Sequence, residues 1–159
     1  MDLIVHNEEE MLELGQALAS ILGPSDIVYL RGVLGAGKTV LVRGVARGLG
    51  YSGPVTSPTF TLMNVYPAVP VIYHFDFYRL ETPDLVDLGL DDYLESGGIS
   101  LLEWPQAGEE ILPGEALGVN IELTGDDYDL PRKVHISAQG AKYQPKLERL
   151  KSIVDSGHR

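Results

Sequence analysis

The sequence contains no cysteine. Disulfide bonds, thiolate catalysis and cysteine-based zinc sites are therefore excluded. Basic residues are also scarce, because 12 lysines and arginines stand against 23 acidic residues and leave a formal net charge of −11. Such a charge opposes non-specific attraction to nucleic-acid phosphates and to anionic lipid. We therefore expect contact with RNA to be made only indirectly, through a partner protein.

Long apolar runs are missing as well. The first residues lack the basic segment and apolar stretch of a signal peptide, and no segment approaches the roughly 18 apolar residues of a membrane span. We therefore expect a cytoplasmic protein with no membrane contact. With 44% hydrophobic residues, a chain of 159 residues can build one core of useful size,. We expect one domain over residues 1–159.

Short β-rich runs alternate with amphipathic helical segments along the chain,. This order predicts an α/β fold with a sheet flanked by helices. Together with the phosphate-binding motif described next, it predicts a single-domain P-loop NTPase-like sheet flanked by helices. The expected strands lie at 3–5, 27–30, 55–65, 69–77, 99–104, 119–123 and 133–137. The expected helices lie at 8–23, 40–49, 85–94 and 147–153, and a dense turn is expected at 114–118.

Residues 32–39 match the pattern G-x-x-x-x-G-K-[ST] without a mismatch, between a predicted strand and a predicted helix,. Glycines let successive backbone N–H groups turn toward phosphate oxygens, and the start of the helix adds its positive dipole end. Lys38 is expected to contact the β- and γ-phosphates, and the Thr39 hydroxyl to bind Mg²⁺. The motif predicts binding of ATP with Mg²⁺.

Two acidic residues end predicted strands, Asp76 after an apolar run and Glu103 after another. Carboxylates at such positions commonly bind Mg²⁺ or orient the attacking water. Lys38, Asp76 and Glu103 are therefore the predicted catalytic residues, and Thr39, Asp76 and Glu103 the predicted metal ligands. Which of the two acids ligates the metal and which orients water stays open. His74 is interpreted as a satisfied or exposed strand histidine, since no second histidine is nearby.

Three further features have both a structural and a functional interpretation. Arg79 is the only lysine or arginine between Arg47 and Arg132, and it could pair with nearby acids or position Asp76 or the phosphates. The segment 56–61 offers four hydroxyls around a proline and could close over the γ-phosphate. Trp104 follows Glu103 directly and could be a core residue, a stacking residue or a partner anchor.

Four segments occur here in a particular order: L-R-G-V-L-G-A-G-K-T, T-S-P-T-F-T, H-F-D-F-Y-R-L and L-L-E-W-P-Q. Together they resemble the TsaE family, the bacterial ATPase subunit for threonylcarbamoyladenosine modification of tRNA. The resemblance covers residues 8–125. The first segment is generic to P-loop proteins, whereas H-F-D-x-Y-R followed by E-W-P is specific to the family.

The resemblance implies a cytoplasmic Mg²⁺-dependent ATPase that joins a synthase and its paralogous partner subunit, and whose ATP turnover drives or resets the complex. It implies Mg²⁺ binding by Thr39 with Glu103 or Asp76. It also implies roles for Trp104 and for the 57–59 loop. The predicted nucleotide-binding residues are Gly35, Ala36, Gly37, Lys38, Thr39, Val40, Thr59 and Trp104.

The chain departs from the family pattern at two positions. The family usually has an acid where Val33 stands and a second threonine where Val40 stands. Neither change removes a required phosphate ligand. Loss of the acid could alter a contact to Arg79 or to a partner, and loss of the threonine hydroxyl removes any catalytic role it had.

Two alternative functions remain. A small-molecule kinase would use the same phosphate cradle but needs cations around the transferred group, and only Arg79 is available in the long acidic middle of the chain. A nucleotide-gated interaction module would bind ATP, hydrolyse little alone and order a partner surface. ATP turnover with and without partner subunits distinguishes these functions.

Overall fold

The computed structural model describes residues 1–33, 35–58, 61–77, 87–103, 105, 111–127 and 129–157. In this part of the chain seven strands form one sheet in the order β1-β7-β6-β2-β5-β4-β3. The strands are β1 (Asp2–Val5), β2 (Ile27–Arg31), β3 (Met63–Tyr66), β4 (Ile72–Asp76), β5 (Ile99–Glu103), β6 (Ala116–Leu123) and β7 (Arg132–Gln139). The helices are α1 (Glu8–Ile21), α2 (Lys38–Gly48), α3 (Leu90–Leu94) and α4 (Gln144–Gly157), with a 3₁₀ turn at Ala141–Tyr143 before α4.

The four central strands, β6, β2, β5 and β4, run parallel, and the outer strands pair antiparallel. The carboxyl ends of parallel strands meet at one edge of a sheet, which is where ligands of open α/β sheets bind. Glu103 at the end of β5 pairs in register with Leu30 of β2 on one side and with Asp76 of β4 on the other. The end of β2, Glu103 and Asp76 are therefore neighbours.

Two apolar cores lie on opposite faces of the sheet, because alternate residues of a strand face opposite sides. Val28 and Leu30 of β2 belong to the larger core, with buried side chains of α1, α2 and α4. Ile27 and Tyr29 belong to the smaller core, with α3. The predicted α/β class, a sheet flanked by helices, is confirmed.

Helices α1 and α2 pack closely enough to require glycine at their crossing. A Cβ at Gly15 would lie 2.4 Å from the Leu41 carbonyl oxygen, and one at Gly44 would lie 2.3 Å from the Leu12 carbonyl oxygen. The two helices therefore touch backbone to backbone where Leu12 and Gly15 meet Leu41 and Gly44. Helix α1 begins at Asn7, whose side chain accepts a hydrogen bond from the Glu10 amide at 2.8 Å,.

Some predicted elements have different bounds. The strand predicted at 55–65 begins only at Met63, since residues 55–58 form a loop and the Leu62 amide turns back to the Pro58 carbonyl at 2.7 Å. The turn predicted at 114–118 is wrong for 116–118, which lie in β6. Gly118 serves close packing there, because its Cβ would lie 2.9 Å from Ser137 Oγ. Of the helix predicted at 85–94, α3 occupies Leu90–Leu94, and residues 85 and 86 lie outside the described residues.

None of the helices among the described residues has the length and apolar character needed to cross a bilayer.

Candidate nucleotide-binding site

The loop between β2 and α2 has a backbone that requires glycine. Gly32, Gly35 and Gly37 have φ angles of 157°, 82° and 116°, a region that residues with a Cβ rarely adopt. Space is also limited, because a Cβ at Gly32 would lie 2.8 Å from the Ile121 carbonyl oxygen. The predicted phosphate loop thus has the curled backbone that its motif demands, with Leu34 outside the described residues.

Two hydrogen bonds hold this loop, one within the loop and one from a distant strand. The Ala36 amide donates to the Val33 carbonyl at 3.0 Å. From β7, Arg132 Nε donates to the Ala36 carbonyl at 3.1 Å. Sequence reasoning missed Arg132, and no local signal could have found it, because 96 positions separate the two residues.

Lys38 is the first residue of α2 and only 5% exposed. Its Nζ donates to the Gly32 carbonyl at 2.6 Å and lies 3.6 Å from Glu103 Oε1. Burial lowers the pKa of Lys38, and the nearby carboxylates of Glu103 and Asp76 oppose that effect,. The positive charge is therefore held in a dry position, where its interaction with other charges is stronger than in water.

Asp76 and Glu103 are both 3% exposed and lie at the ends of adjacent parallel strands. The sheet therefore brings together Lys38, Asp76 and Glu103, which are well separated in the sequence. Their catalytic and metal-binding roles stay predictions. Thr39 and Val40 follow Lys38 in the first turn of α2, and both are half-buried.

The donor set fits Mg²⁺ shared with a phosphate group. Among the described residues no group of three or more histidine, aspartate or glutamate side chains could hold a metal ion by itself. Mg²⁺ commonly needs only one or two protein carboxylates, because phosphate oxygens and water complete its shell. Glu103 or Asp76, with the Thr39 hydroxyl at the start of α2, would meet that requirement.

His74 is the main feature of this site that sequence reasoning missed. It is completely buried, with its Nε2 2.6 Å from Glu103 Oε2 and its Nδ1 2.9 Å from the Tyr66 hydroxyl. The interpretation of His74 as satisfied is correct, and the alternative of an exposed histidine is wrong. Strand alternation places His74 and Asp76 on one face of β4, but it does not identify Glu103 as the partner of His74.

The hydroxyl-rich segment is described at 56–58 and at 61. The Thr56 carbonyl accepts a hydrogen bond from Asn64 Nδ2 at 3.1 Å, and the Tyr66 hydroxyl lies 3.2 Å from the same carbonyl oxygen. Strand β3 therefore anchors the start of the segment. Thr59, Arg79 and Trp104 lie outside the described residues.

A cavity of about 380 Å³ lies between the phosphate loop, the start of α1 and the beginning of β7. The residues that line it include Asn7, Met11, Gly37, Val40, Leu130 and Arg132. The start of α1 and the beginning of β7 thus meet at the loop.

The comparisons with known proteins agree with this architecture. Residues 5–134 match the family described as threonylcarbamoyl adenosine biosynthesis protein TsaE. The tRNA threonylcarbamoyladenosine biosynthesis protein TsaE of Bacillus subtilis is 41% identical over 145 residues, which cover 91% of this chain and 89% of that protein. The Haemophilus influenzae protein of the same name is 42% identical over 142 residues, with 85% and 87% covered.

A solved structure gives the same result for the fold. The crystal structure of Bacillus subtilis YdiB superposes with a TM-score of 0.83 at 35% sequence identity, covering 96% of this chain and 94% of that one. The match therefore extends well beyond the phosphate loop, over 96% of this chain. This chain belongs to the TsaE family of threonylcarbamoyl adenosine biosynthesis proteins.

Proposed function

We propose that this protein binds ATP with Mg²⁺ at its phosphate loop and hydrolyses it as a subunit of the machinery for threonylcarbamoyladenosine modification of tRNA. One observation supports this most strongly. A buried lysine at the start of α2, Lys38, lies between a glycine-rich loop and two buried carboxylates. Burying three ionisable groups together costs free energy because each group loses its hydration. Such clusters occur mainly at functional sites.

The triphosphate would lie along the loop. Backbone N–H groups of residues 35–39 and the positive end of α2 would bind phosphate oxygens. Lys38 would turn from the Gly32 carbonyl to the β- and γ-phosphates, where its charge opposes the negative charge that builds up during phosphoryl transfer.

The Thr39 hydroxyl and one of the two strand-end carboxylates, Glu103 or Asp76, would hold Mg²⁺. The ion would neutralise charge on the phosphate oxygens. The remaining carboxylate would accept a hydrogen bond from the attacking water and orient it. The two assignments are alternatives that experiment can separate.

The nucleoside would occupy the cavity beside the loop. Its volume of about 380 Å³ falls within the usual range for small-molecule pockets, which combine apolar walls with a few polar groups. Met11, Val40 and Leu130 supply apolar surface, and Asn7 and Arg132 supply polar groups. This placement also gives Val40 a packing role that needs no hydroxyl.

The proposed partners are the protein subunits of the threonylcarbamoyladenosine synthase complex, the synthase and its paralogous partner, in the cytoplasm. The names of the curated relatives place them in the biosynthesis of this modified base. The net charge of −11 favours contact with proteins over direct contact with tRNA. The 56–61 segment and Trp104 would form part of a surface that responds to the γ-phosphate.

The deciding experiment measures ATP binding and turnover by the purified chain alone and with the two partner subunits. We expect binding that requires Mg²⁺, weak turnover alone and faster turnover in the complex. Association with the partners should differ between an ATP analogue, ADP and no nucleotide, and Trp104→Ala should reduce that difference. Failure to bind ATP in any mixture would contradict the proposal. Binding without turnover in the complex would instead indicate a nucleotide-gated interaction module.

A further inference from the structure

Behind Glu103 lies a chain of buried polar groups that nucleotide binding leaves unexplained. We propose that His74 and Tyr66 are positioning residues, which fix the orientation of the Glu103 carboxylate, and that the Thr56 carbonyl competes with His74 for the Tyr66 hydroxyl hydrogen. The inference rests on the proposed ATPase function for its kinetic consequence. The hydrogen-bond chain itself can be tested without nucleotide.

The Glu103 carboxylate is held at both of its oxygens. Oε1 lies 3.6 Å from Lys38 Nζ, and Oε2 lies 2.6 Å from His74 Nε2. The terminal torsion of a glutamate side chain is otherwise soft, so Lys38 alone would not fix the plane of the carboxylate. When Lys38 turns to a phosphate, His74 is the partner that remains.

His74 is itself held rigidly. The side chain is completely buried, and the backbone of His74 in β4 pairs with Asn64 of β3 and with Leu101 of β5. A carboxylate only accepts hydrogen bonds, so the hydrogen between the two groups belongs to Nε2. The other ring nitrogen, Nδ1, faces the Tyr66 hydroxyl at 2.9 Å.

The Tyr66 hydroxyl has one hydrogen and two neighbours that can accept it, His74 Nδ1 at 2.9 Å and the Thr56 carbonyl at 3.2 Å. Burial raises the pKa of Tyr66, so the hydroxyl keeps its hydrogen,. Asn64 Nδ2 already donates to the same Thr56 carbonyl at 3.1 Å. Tyr66 can therefore donate to His74 without leaving that carbonyl unpaired.

The arrangement links loop position to carboxylate position. A shift of Thr56 away from Asn64 leaves its carbonyl short of a donor, and the Tyr66 hydrogen can then turn to it and away from His74. The support of Glu103 would weaken as a result. The position of Thr56 and the alignment of the Glu103 carboxylate would thus be coupled.

Four variants test the proposal. His74→Asn places an amide near the former Nδ1 position and loses the bond to Glu103, whereas His74→Gln can extend an amide N–H to the former Nε2 position. Tyr66→Phe keeps the ring that stacks on Tyr51, with centroids 5.2 Å apart, and removes only the hydroxyl. The matched control is Tyr51→Phe, which removes the hydroxyl of the stacked neighbour, bonded at the surface to the Pro54 carbonyl at 2.9 Å.

For activity we expect kcat to fall about 10- to 100-fold in His74→Asn, the usual range for residues that orient a metal or catalytic ligand. His74→Gln should recover part of this loss, and Tyr66→Phe should show a smaller one. The affinity for ADP without Mg²⁺ should stay within about twofold of wild type, because the phosphate loop is unchanged. Tyr51→Phe should match wild type.

The second readout uses the protein without nucleotide. The ring Nε2–H of His74 should give a strongly downfield ¹H NMR signal because it is buried and bonded to a carboxylate. That signal should shift in Tyr66→Phe, disappear in His74→Asn and stay unchanged in Tyr51→Phe. Thermal unfolding of each variant checks that it folds, and Tyr66→Phe decides the question if His74→Asn does not fold.

The two proposals fail in different ways. If the wild-type protein neither binds nor hydrolyses ATP, the proposed function is wrong, and the NMR comparison still tests the hydrogen-bond chain. If the wild type is active and both Tyr66→Phe and His74→Asn match Tyr51→Phe in kcat, His74 and Tyr66 are not positioning residues. An unchanged downfield signal in Tyr66→Phe would remove the link to the loop.

Discussion

Buried charge lies at both ends of strand β2, and the two clusters differ in composition. At the carboxyl end, Lys38 lies near Glu103 and Asp76. At the amino end, Asp26 is 1% exposed, its Oδ2 accepts from Lys146 Nζ, and its Oδ1 lies 3.4 Å from Lys142 Nζ. Among the residues that the structure describes, the carboxyl end has two acids and one lysine, and the amino end has one acid and two lysines.

The exposure of the lysines shows what each cluster does. The side chains of Lys142 and Lys146 are 47% and 24% exposed. Water therefore stabilises their charges together with Asp26. They hold the beginning of α4 and the turn before it against the start of β2. The Gly23 amide also donates a hydrogen bond to Asp26 Oδ2 at 2.7 Å. Lys38, by contrast, is buried beside the carboxylates of Glu103 and Asp76. Water therefore compensates part of the charge at the amino end, whereas Lys38 and Glu103 at the carboxyl end are both almost excluded from water.

The largest difference between the two ends is expected when one lysine is removed from each. We expect Lys38→Ala to lower ATP turnover at least about 100- to 1000-fold, the cost of losing a charge that stabilises a transition state, in a protein that still folds. Lys142→Ala at the amino end is the matched control and should leave turnover unchanged. Steady-state kinetics and nucleotide titration measure both, and a folded Lys38→Ala protein with normal affinity and turnover would contradict the assignment.

The carboxylates at the carboxyl end come next. Glu103→Gln and Asp76→Asn should each lower turnover by roughly a hundredfold or more, since each is proposed to serve Mg²⁺ or water. The variant whose loss is partly recovered by raising Mg²⁺ identifies the metal ligand. Glu122→Gln, at an exposed position near the end of β6, is the control. Normal hydrolysis by either variant would return that residue to a structural role.

At the amino end the expected effect is on stability. Asp26→Asn should lower the free energy of unfolding by about 2 kcal/mol, less than a fully buried ion pair because both lysines are partly exposed. Turnover per folded molecule should not change. Urea denaturation measures the loss, with Glu148→Gln, at a surface pair with Lys151, as a control of little effect. A drop in kcat equal to that of Glu103→Gln would show that the two ends are not independent.

The smallest expected effect concerns Tyr143, whose hydroxyl accepts a hydrogen bond from the Ile27 amide at 2.9 Å. Tyr143→Phe should cost about 1 kcal/mol near neutral pH by leaving that amide unpaired. Burial raises the pKa of Tyr143 to about 12. The native state therefore keeps a hydroxyl proton that the unfolded state loses near pH 10, and unfolding free energy falls as pH rises from 10 toward 12.

Tyr143→Phe should reduce this fall in stability, which urea denaturation across that pH range measures. Tyr51→Phe, which removes a hydroxyl bonded at the surface to Pro54, serves as the control. Equal pH slopes in wild type and Tyr143→Phe would show that Tyr143 does not hold its proton in this way.

The sequence predicts the local parts of this molecule well. The phosphate loop is a contiguous motif, and its glycines have the φ angles that the motif requires. Strand alternation and strand ends also pointed to Asp76 and Glu103. The bond between His74 and Glu103 could not be predicted, because it depends on β4 and β5 being neighbours in a parallel sheet. The bond from Arg132 to Ala36 depends on strand order in the same way.

The glycine crossing of α1 and α2 extends the sequence requirements of the phosphate loop beyond its own motif. A methyl group at Gly44 would overlap the Leu12 carbonyl and force the helices apart. Met11 Cε of α1 lies 3.1 Å from the position that a Cβ at Gly37 would take. A displacement of α1 would therefore change the packing around the phosphate loop. Mutational tolerance at Gly15 and Gly44 should therefore be as low as inside the motif, although neither residue would touch the nucleotide.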